Sequence, residues 1–197
     1  MFPKNFAPFA VFFLLTAAAT PGLADGNSRH DHDSHSHDQP AAFDGLVEDY
    51  LAIQTALAGD SIEGVDNRAA AIASSARKLS KASVPQAAGI ESKNAEALVK
   101  ILPGLVAAAD DLSEARDIKA ARAAFGPLST AMIAYRDLVS GDTPNVAYCP
   151  MVKKNWLQNG KKVSNPYYGS SMLRCGSIVE EKSEGQHAEG NHGEGHH

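Results

Sequence analysis

IKAARAAFGPLSTAMIAYRDLV, Ile118 to Val139, sets Ile118, Ala121, Phe125, Leu128, Met132, Tyr135 and Val139 at alternating steps of three and four. That spacing is one face of an α-helix, so the stretch predicts an amphipathic helix from about Ser113 to Val139, interrupted and bent at Gly126 and Pro127. Three earlier stretches read the same way. Leu46, Tyr50, Ile53 and Leu57 share one face of a helix over about Phe43 to Leu57, which Gly59 ends. Ile62, Val65, Ala69, Ile72, Ala76 and Leu79 repeat at helical spacing, with Arg68, Arg77 and Lys78 off the stripe and Asp60 and Glu63 spaced as a capping box. Leu98, Leu102, Leu105, Ala109 and Leu112 make a third stripe over about Ser92 to Leu112, with a kink expected at Pro103. A looser connection with Pro85 and Gly89 precedes it. The expected fold class is all-α, an antiparallel four-helix up-and-down bundle over residues 41–140. Met132, Tyr50 and Tyr135 read as core residues of it, the tyrosines with hydroxyls at the edge.

On both sides of the bundle the composition changes. Residues 1–24 hold one basic residue, Lys4, then the apolar run Phe6 to Leu15, then Gly22-Leu23-Ala24 with small residues at the −3 and −1 positions. This predicts a secretory signal peptide cleaved near Ala24, too short to span a bilayer, and so a periplasmic or secreted protein with no membrane insertion after cleavage. Of 18 basic residues one is Lys4, and 23 acidic residues face the rest, so the exported chain is acidic. Nucleic acid, which needs a basic face, is excluded as a partner.

All eight histidines lie outside the helical region. His30, His32, His35 and His37 alternate with Asp and Ser in residues 25–40; His187, His192, His196 and His197 mix with Glu and Gly in residues 180–197. Neither segment has the apolar residues to fold, so both are expected to be disordered tails, and His-rich tracts chelate Cu(II), zinc or nickel.

Residues 141–179 hold both cysteines and two of the four methionines, as Cys149-Pro150-Met151 and Met172-Leu173-Arg174-Cys175. Asn159-Gly160 between Trp156-Leu157-Gln158 and Lys161-Lys162-Val163 signals a type I′ hairpin, and residues 165–169 a turn. The expectation is a Cys/Met-rich loop with a short hairpin, packed on the bundle and returning one motif to the other. Alternation would put Cys149 and Met151 on one side of an extended strand. Thiolate and thioether are soft ligands that select Cu(I), so Cys149, Met151, Met172 and Cys175 are candidate copper ligands. The rival reading is a Cys149–Cys175 disulfide, for which closing a 27-residue loop is worth about 3.5 kcal/mol in the chain-entropy model. A staple does not need a methionine beside each cysteine; a soft-metal site does. Trp156 reads as packing under the hairpin or as a cover for the metal.

Residues 148–176, with Tyr-Cys-Pro-Met, Trp-Leu-Gln and Asn-Pro-Tyr-Tyr-Gly-Ser-Ser-Met-Leu-Arg-Cys-Gly, resemble the signature of an uncharacterised exported bacterial domain. That domain is also found fused to periplasmic adaptor subunits of heavy-metal (copper/silver) efflux systems. Tyr50 to Leu57 and Arg122 to Ser129 resemble it more loosely, so that the likeness runs from Phe43 to Val179. It departs from the signature in the tight spacing from Met151 to Trp156. The resemblance implies a helical domain with a Cys/Met-rich loop linked to metal resistance.

No enzyme is expected. Nucleophilic triads need a positioned imidazole, which the folded region lacks, and neither Cys-x-x-Cys nor a phosphate-binding glycine loop occurs. The expected function is copper buffering or delivery to an efflux adaptor or pump, with Cu(I) on sulfur and Cu(II) or zinc on the tails. The alternative is a disulfide-stapled interaction or adaptor module with no metal at its sulfurs.

Overall fold

The computed structural model describes residues 41–81 and 88–180, with only the backbone at Ala41, Lys81 and Glu180. Residues 1–24, expected to be a signal peptide, and the histidines of both tails, His30, His32, His35 and His37 among them, therefore lie outside the described residues. Four helices pack each against the next: α1 (Ala41–Ala58), α2 (Val65–Lys81), α3 (Ala95–Ser113) and α4 (Ile118–Arg136). Their stripes form the core, with Leu46, Tyr50, Ile53, Leu57, Ile72, Leu105, Leu112, Phe125, Leu128 and Met132 buried. Phe43 meets Tyr135, Tyr50 meets Phe125 and Ser129, and Arg122 reaches the Leu57 carbonyl, so α1 and α4 run antiparallel.

The helix ends differ from expectation for local reasons. Ser113 closes α3, and α4 begins after Asp117, whose carboxylate accepts from the Ala120 amide at 2.8 Å as an N-cap. The Asp60–Glu63 box is not used. Asp60 has a left-handed backbone (φ 59°), Ile62 precedes α2 and is partly exposed, and the Asp60 carboxylate is taken by groups further along the chain. Pro103 and Pro127 lie inside α3 and α4, which continue through them. Tyr50 and Tyr135 are buried completely rather than edge-on, their hydroxyls satisfied inside the core by Ser129 and by the Ala88 carbonyl.

Residues 141–180 are more than the expected loop with one short hairpin: they carry a three-stranded antiparallel sheet, so the fold is not purely all-α. β1 (Asn145–Cys149) lies between β2 (Lys154–Gln158) and β3 (Ser177–Glu180). The hairpin is β1–β2, with Cys149 opposite Lys154 and the turn at Pro150–Lys153, where Lys153 takes φ 53°. The expected hairpin about Asn159-Gly160 is absent. Gly160 does adopt the positive φ its dipeptide signals, 70°, but Lys161 to Val163 pair with no strand. The Gln158 side chain takes their place, donating to the Gly160 and Lys162 carbonyls while its oxygen accepts from Trp156 Nε1 and the Ser164 amide. β3 extends through Glu180, one residue past the expected end of the folded region.

Two polar links hold this sheet on the helices. The Tyr50 hydroxyl, buried between α1, α4 and β2, contacts Ser129 Oγ at 2.7 Å and accepts from the Leu157 amide at 3.1 Å. Arg122 on α4 donates to the carbonyls of Leu57 and Pro166 and to Asp60, and Asp60 accepts in turn from the Ser170 amide. Gly169 (φ 56°) passes so close that a Cβ there would overlap the Asp60 carboxylate and the Arg122 guanidinium. Among the described residues no helix is long and apolar enough to cross a membrane.

Candidate functional site at Cys149 and Cys175

Cys149 is the last residue of β1, and Cys175 sits two residues before β3 begins beside it. The pairing of β3 with β1 therefore brings the two sulfurs together across 26 residues, to 3.5 Å. They are free thiols, Cys149 buried and Cys175 partly exposed. Gly176 makes the approach possible. At φ 129° its missing side chain leaves room for the Tyr148 carbonyl, which a Cβ would meet at 2.5 Å, and for the Trp156 ring at 3.0 Å. Trp156 is thus a wall beside the pair, fully buried, with its indole N–H satisfied by Gln158.

The two thiols are electrostatically unequal. Burial pushes the Cys149 thiol up. Hydrogen bonds from the amides of Val152 and Met151, from the Cys175 thiol and from the Asn165 side chain outweigh it, leaving the pKa below the ordinary thiol value. The turn Pro150–Lys153 thus acts as an anion nest, its successive N–H groups converging on one sulfur. The Cys175 thiol is pushed up, first by its hydrogen bond to Cys149, then by burial and by the Cys149 charge. The arrangement makes Cys149 the more acidic thiol of the pair and Cys175 the one that donates to it.

Asn165 organises the site from the other side, and sequence reasoning saw only a turn there. It is fully buried; its side-chain nitrogen donates to the Cys175 carbonyl at 2.9 Å and its oxygen accepts from the Tyr167 amide at 2.9 Å. Its own amide donates to the Leu173 carbonyl at 2.9 Å. One side chain thereby ties the Asn165–Gly169 turn to the Cys175 backbone. The available signal was an Asn immediately before Pro166, where Asn commonly bonds its own backbone two residues on.

The methionines are placed less directly. Met151 is not on the strand with Cys149 but in the turn after it; its amide points at the sulfurs and its side chain is 62% exposed. Met172 ends a short 3-10 turn (Gly169–Met172), partly exposed, and its carbonyl accepts from the Cys175 amide at 2.9 Å. Among the described residues no group of three or more His, Cys, Asp and Glu side chains gathers to hold a metal. Any metal at this place therefore takes its further ligands from thioethers, backbone or other molecules.

Comparison with known proteins adds one finding. Residues 46–142 carry a DUF3347 domain, a family described as a protein of unknown function. The DUF3347 match takes in most of α1 and all of α2, α3 and α4, and ends before β1. Cys149, Asn165 and Cys175 lie beyond it. No curated protein and no solved structure matches the chain.

Proposed function

We propose that the protein is an exported copper-binding protein that holds Cu(I) between Cys149 and Cys175 and buffers it or passes it to a heavy-metal efflux adaptor or pump. The observation that carries this reading is the pair of free thiols 3.5 Å apart. With metal–sulfur bonds of about 2.3 Å, that separation subtends roughly 100° at a shared ion. A bent pair leaves further coordination positions open, and Met151 and Met172 are the soft donors nearest in sequence to each cysteine. On this reading the histidine tails capture Cu(II), zinc or nickel and keep the local metal concentration high.

Anaerobic titration of the reduced full chain with Cu(I), against a chromophoric Cu(I) chelator, tests the proposal. Cys149→Ser or Cys175→Ser should abolish competitive uptake by the sulfur site. Met151→Leu and Met172→Leu should weaken it at little cost in stability, since Leu conserves volume but offers no lone pair. Uptake unchanged by either cysteine substitution rejects the site.

The same 3.5 Å favours a second reading, a disulfide-stapled interaction module, because the two free thiols already face each other. Thiol assay on protein taken from the exported compartment under copper load separates the two: no free sulfhydryl supports the staple, and two free or metal-bound sulfurs reject it.

A further inference from the structure

The pair is asymmetric in access as well as in acidity. Cys149 is fully buried, enclosed by the Pro150–Lys153 turn, Asn165 and the core around Trp156, whereas Cys175 is partly exposed on the segment leading into β3. A reagent larger than an ion reaches Cys175 and not Cys149. We propose that Cys175 is the entry sulfur for small-molecule disulfides and Cys149 the resolving sulfur, so that thiol–disulfide exchange closes and reopens the site. As a gate on metal this rests on the copper reading above; the division of labour between the sulfurs does not.

The chemistry balances in two steps. The deprotonated Cys175 sulfur attacks one sulfur of the disulfide; a new S–S bond forms, the old one breaks, and one thiolate leaves and takes up a proton. Cys149, 3.5 Å away, gives up its proton and attacks the Cys175 sulfur. The intramolecular bond forms and the second thiolate leaves, so that the protein loses two electrons and the small disulfide gains them. The first step is bimolecular and waits on encounter at the accessible sulfur. The second is fast, because nucleophile and target are already adjacent. Closure ties both sulfurs, and with them the Cu(I) ligands, into the S–S bond; a reducing thiol reverses it.

The probe is glutathione disulfide, applied anaerobically to the reduced, metal-free full chain. Cys149→Ser should accumulate a glutathione adduct on Cys175, at least about tenfold faster than Cys175→Ser acquires one on Cys149, the exchange rate following access to the attacking sulfur. Far-UV circular dichroism checks that both variants fold. Wild-type protein gives a measurement free of substitution: brief N-ethylmaleimide treatment followed by peptide mapping should label Cys175 before Cys149. Equal adduct rates in the two variants, or first labelling at Cys149, overturns the assignment. Wild-type protein should end with an intramolecular disulfide and no Cu(I) uptake, both reversed by dithiothreitol. Oxidised protein that still binds Cu(I) at the site overturns the gate. Reduced protein that takes up no Cu(I) yet closes through Cys175 rejects the copper reading alone and supports the roles assigned to the two sulfurs.

Discussion

Tyr50→Phe isolates the joint between the helices and the strands that carry the thiols. The ring stays, still stacked on Phe125 at 5.1 Å between centroids, and only the hydroxyl is lost. Burial raises the Tyr50 pKa well above that of an ordinary phenol, followed by the influence of Tyr167, so the group is protonated. Its oxygen accepts from the Leu157 amide, and its proton is then free to go to Ser129. Removing the hydroxyl orphans the buried Leu157 amide and takes from the buried Ser129 hydroxyl one of its partners, Tyr167 being the other. An orphaned group costs about 1–3 kcal/mol. Ser129 can recover part of this by turning to the carbonyl four residues back in α4, so the expected loss is about 2–3 kcal/mol. With a urea slope of about 2 kcal/mol/M, the midpoint of the reduced protein should fall by about 1–1.5 M at unchanged slope. Ser129→Ala in the Tyr50→Phe background should add little, because both substitutions break one network. A midpoint shift below about 0.3 M, or costs that simply add, would refute the reasoning that these hydroxyls and the Leu157 amide form one buried unit.

Asn165→Ala removes the acceptor for Tyr167 and the donor to Cys175 from a buried site, and should cost about 2–4 kcal/mol in denaturant melts while raising the Cys149 titration followed by thiolate absorbance. Cys149→Ser should bring the Cys175 titration down toward 9.0, since the Cys149 sulfur is what raises it; an unmoved Cys175 titration speaks against the pairing. Asp60 titrates near 2, held down by its hydrogen bonds from Ser170 and Arg122. A carboxylate depressed from 3.8 adds stability above that value and loses it as pH falls toward 2, so wild-type protein should lose more stability over that window than Asp60→Asn, and parallel acid profiles would count against the clamp.

The helices were legible in the chain because their signal is local. Each apolar stripe at three-four spacing states which face is buried, and most of the residues it names are buried; Ile62, which precedes α2, is exposed, and Leu79, Ile118 and Val139, at helix ends or just beyond, are only partly covered. The helix ends were less so: the Asp60–Glu63 spacing advertises a cap, but Arg122 and Ser170, both distant in sequence, take the Asp60 carboxylate instead. The sulfur motifs pointed to a convergence of Cys149 with Cys175, and the two do meet, though by a different route. The Asn159-Gly160 signal was sound as a turn and misleading as a hairpin, because the Gln158 side chain satisfies the carbonyls that a returning strand would have used.

What the sequence by itself determined is four helical stripes and a soft-ligand pair concentrated in one segment. Tertiary structure alone decided that β3 returns to the far edge of β1, that Pro150–Lys153 is the turn, and that Asn165 joins it at the sulfurs. The physical reason lies in the range of the forces. Helical periodicity is written within neighbouring turns, whereas the pairing of β3 with β1 and the approach of Cys175 to Cys149 join groups about 26 residues or more apart, which only the packed chain brings within hydrogen-bonding distance.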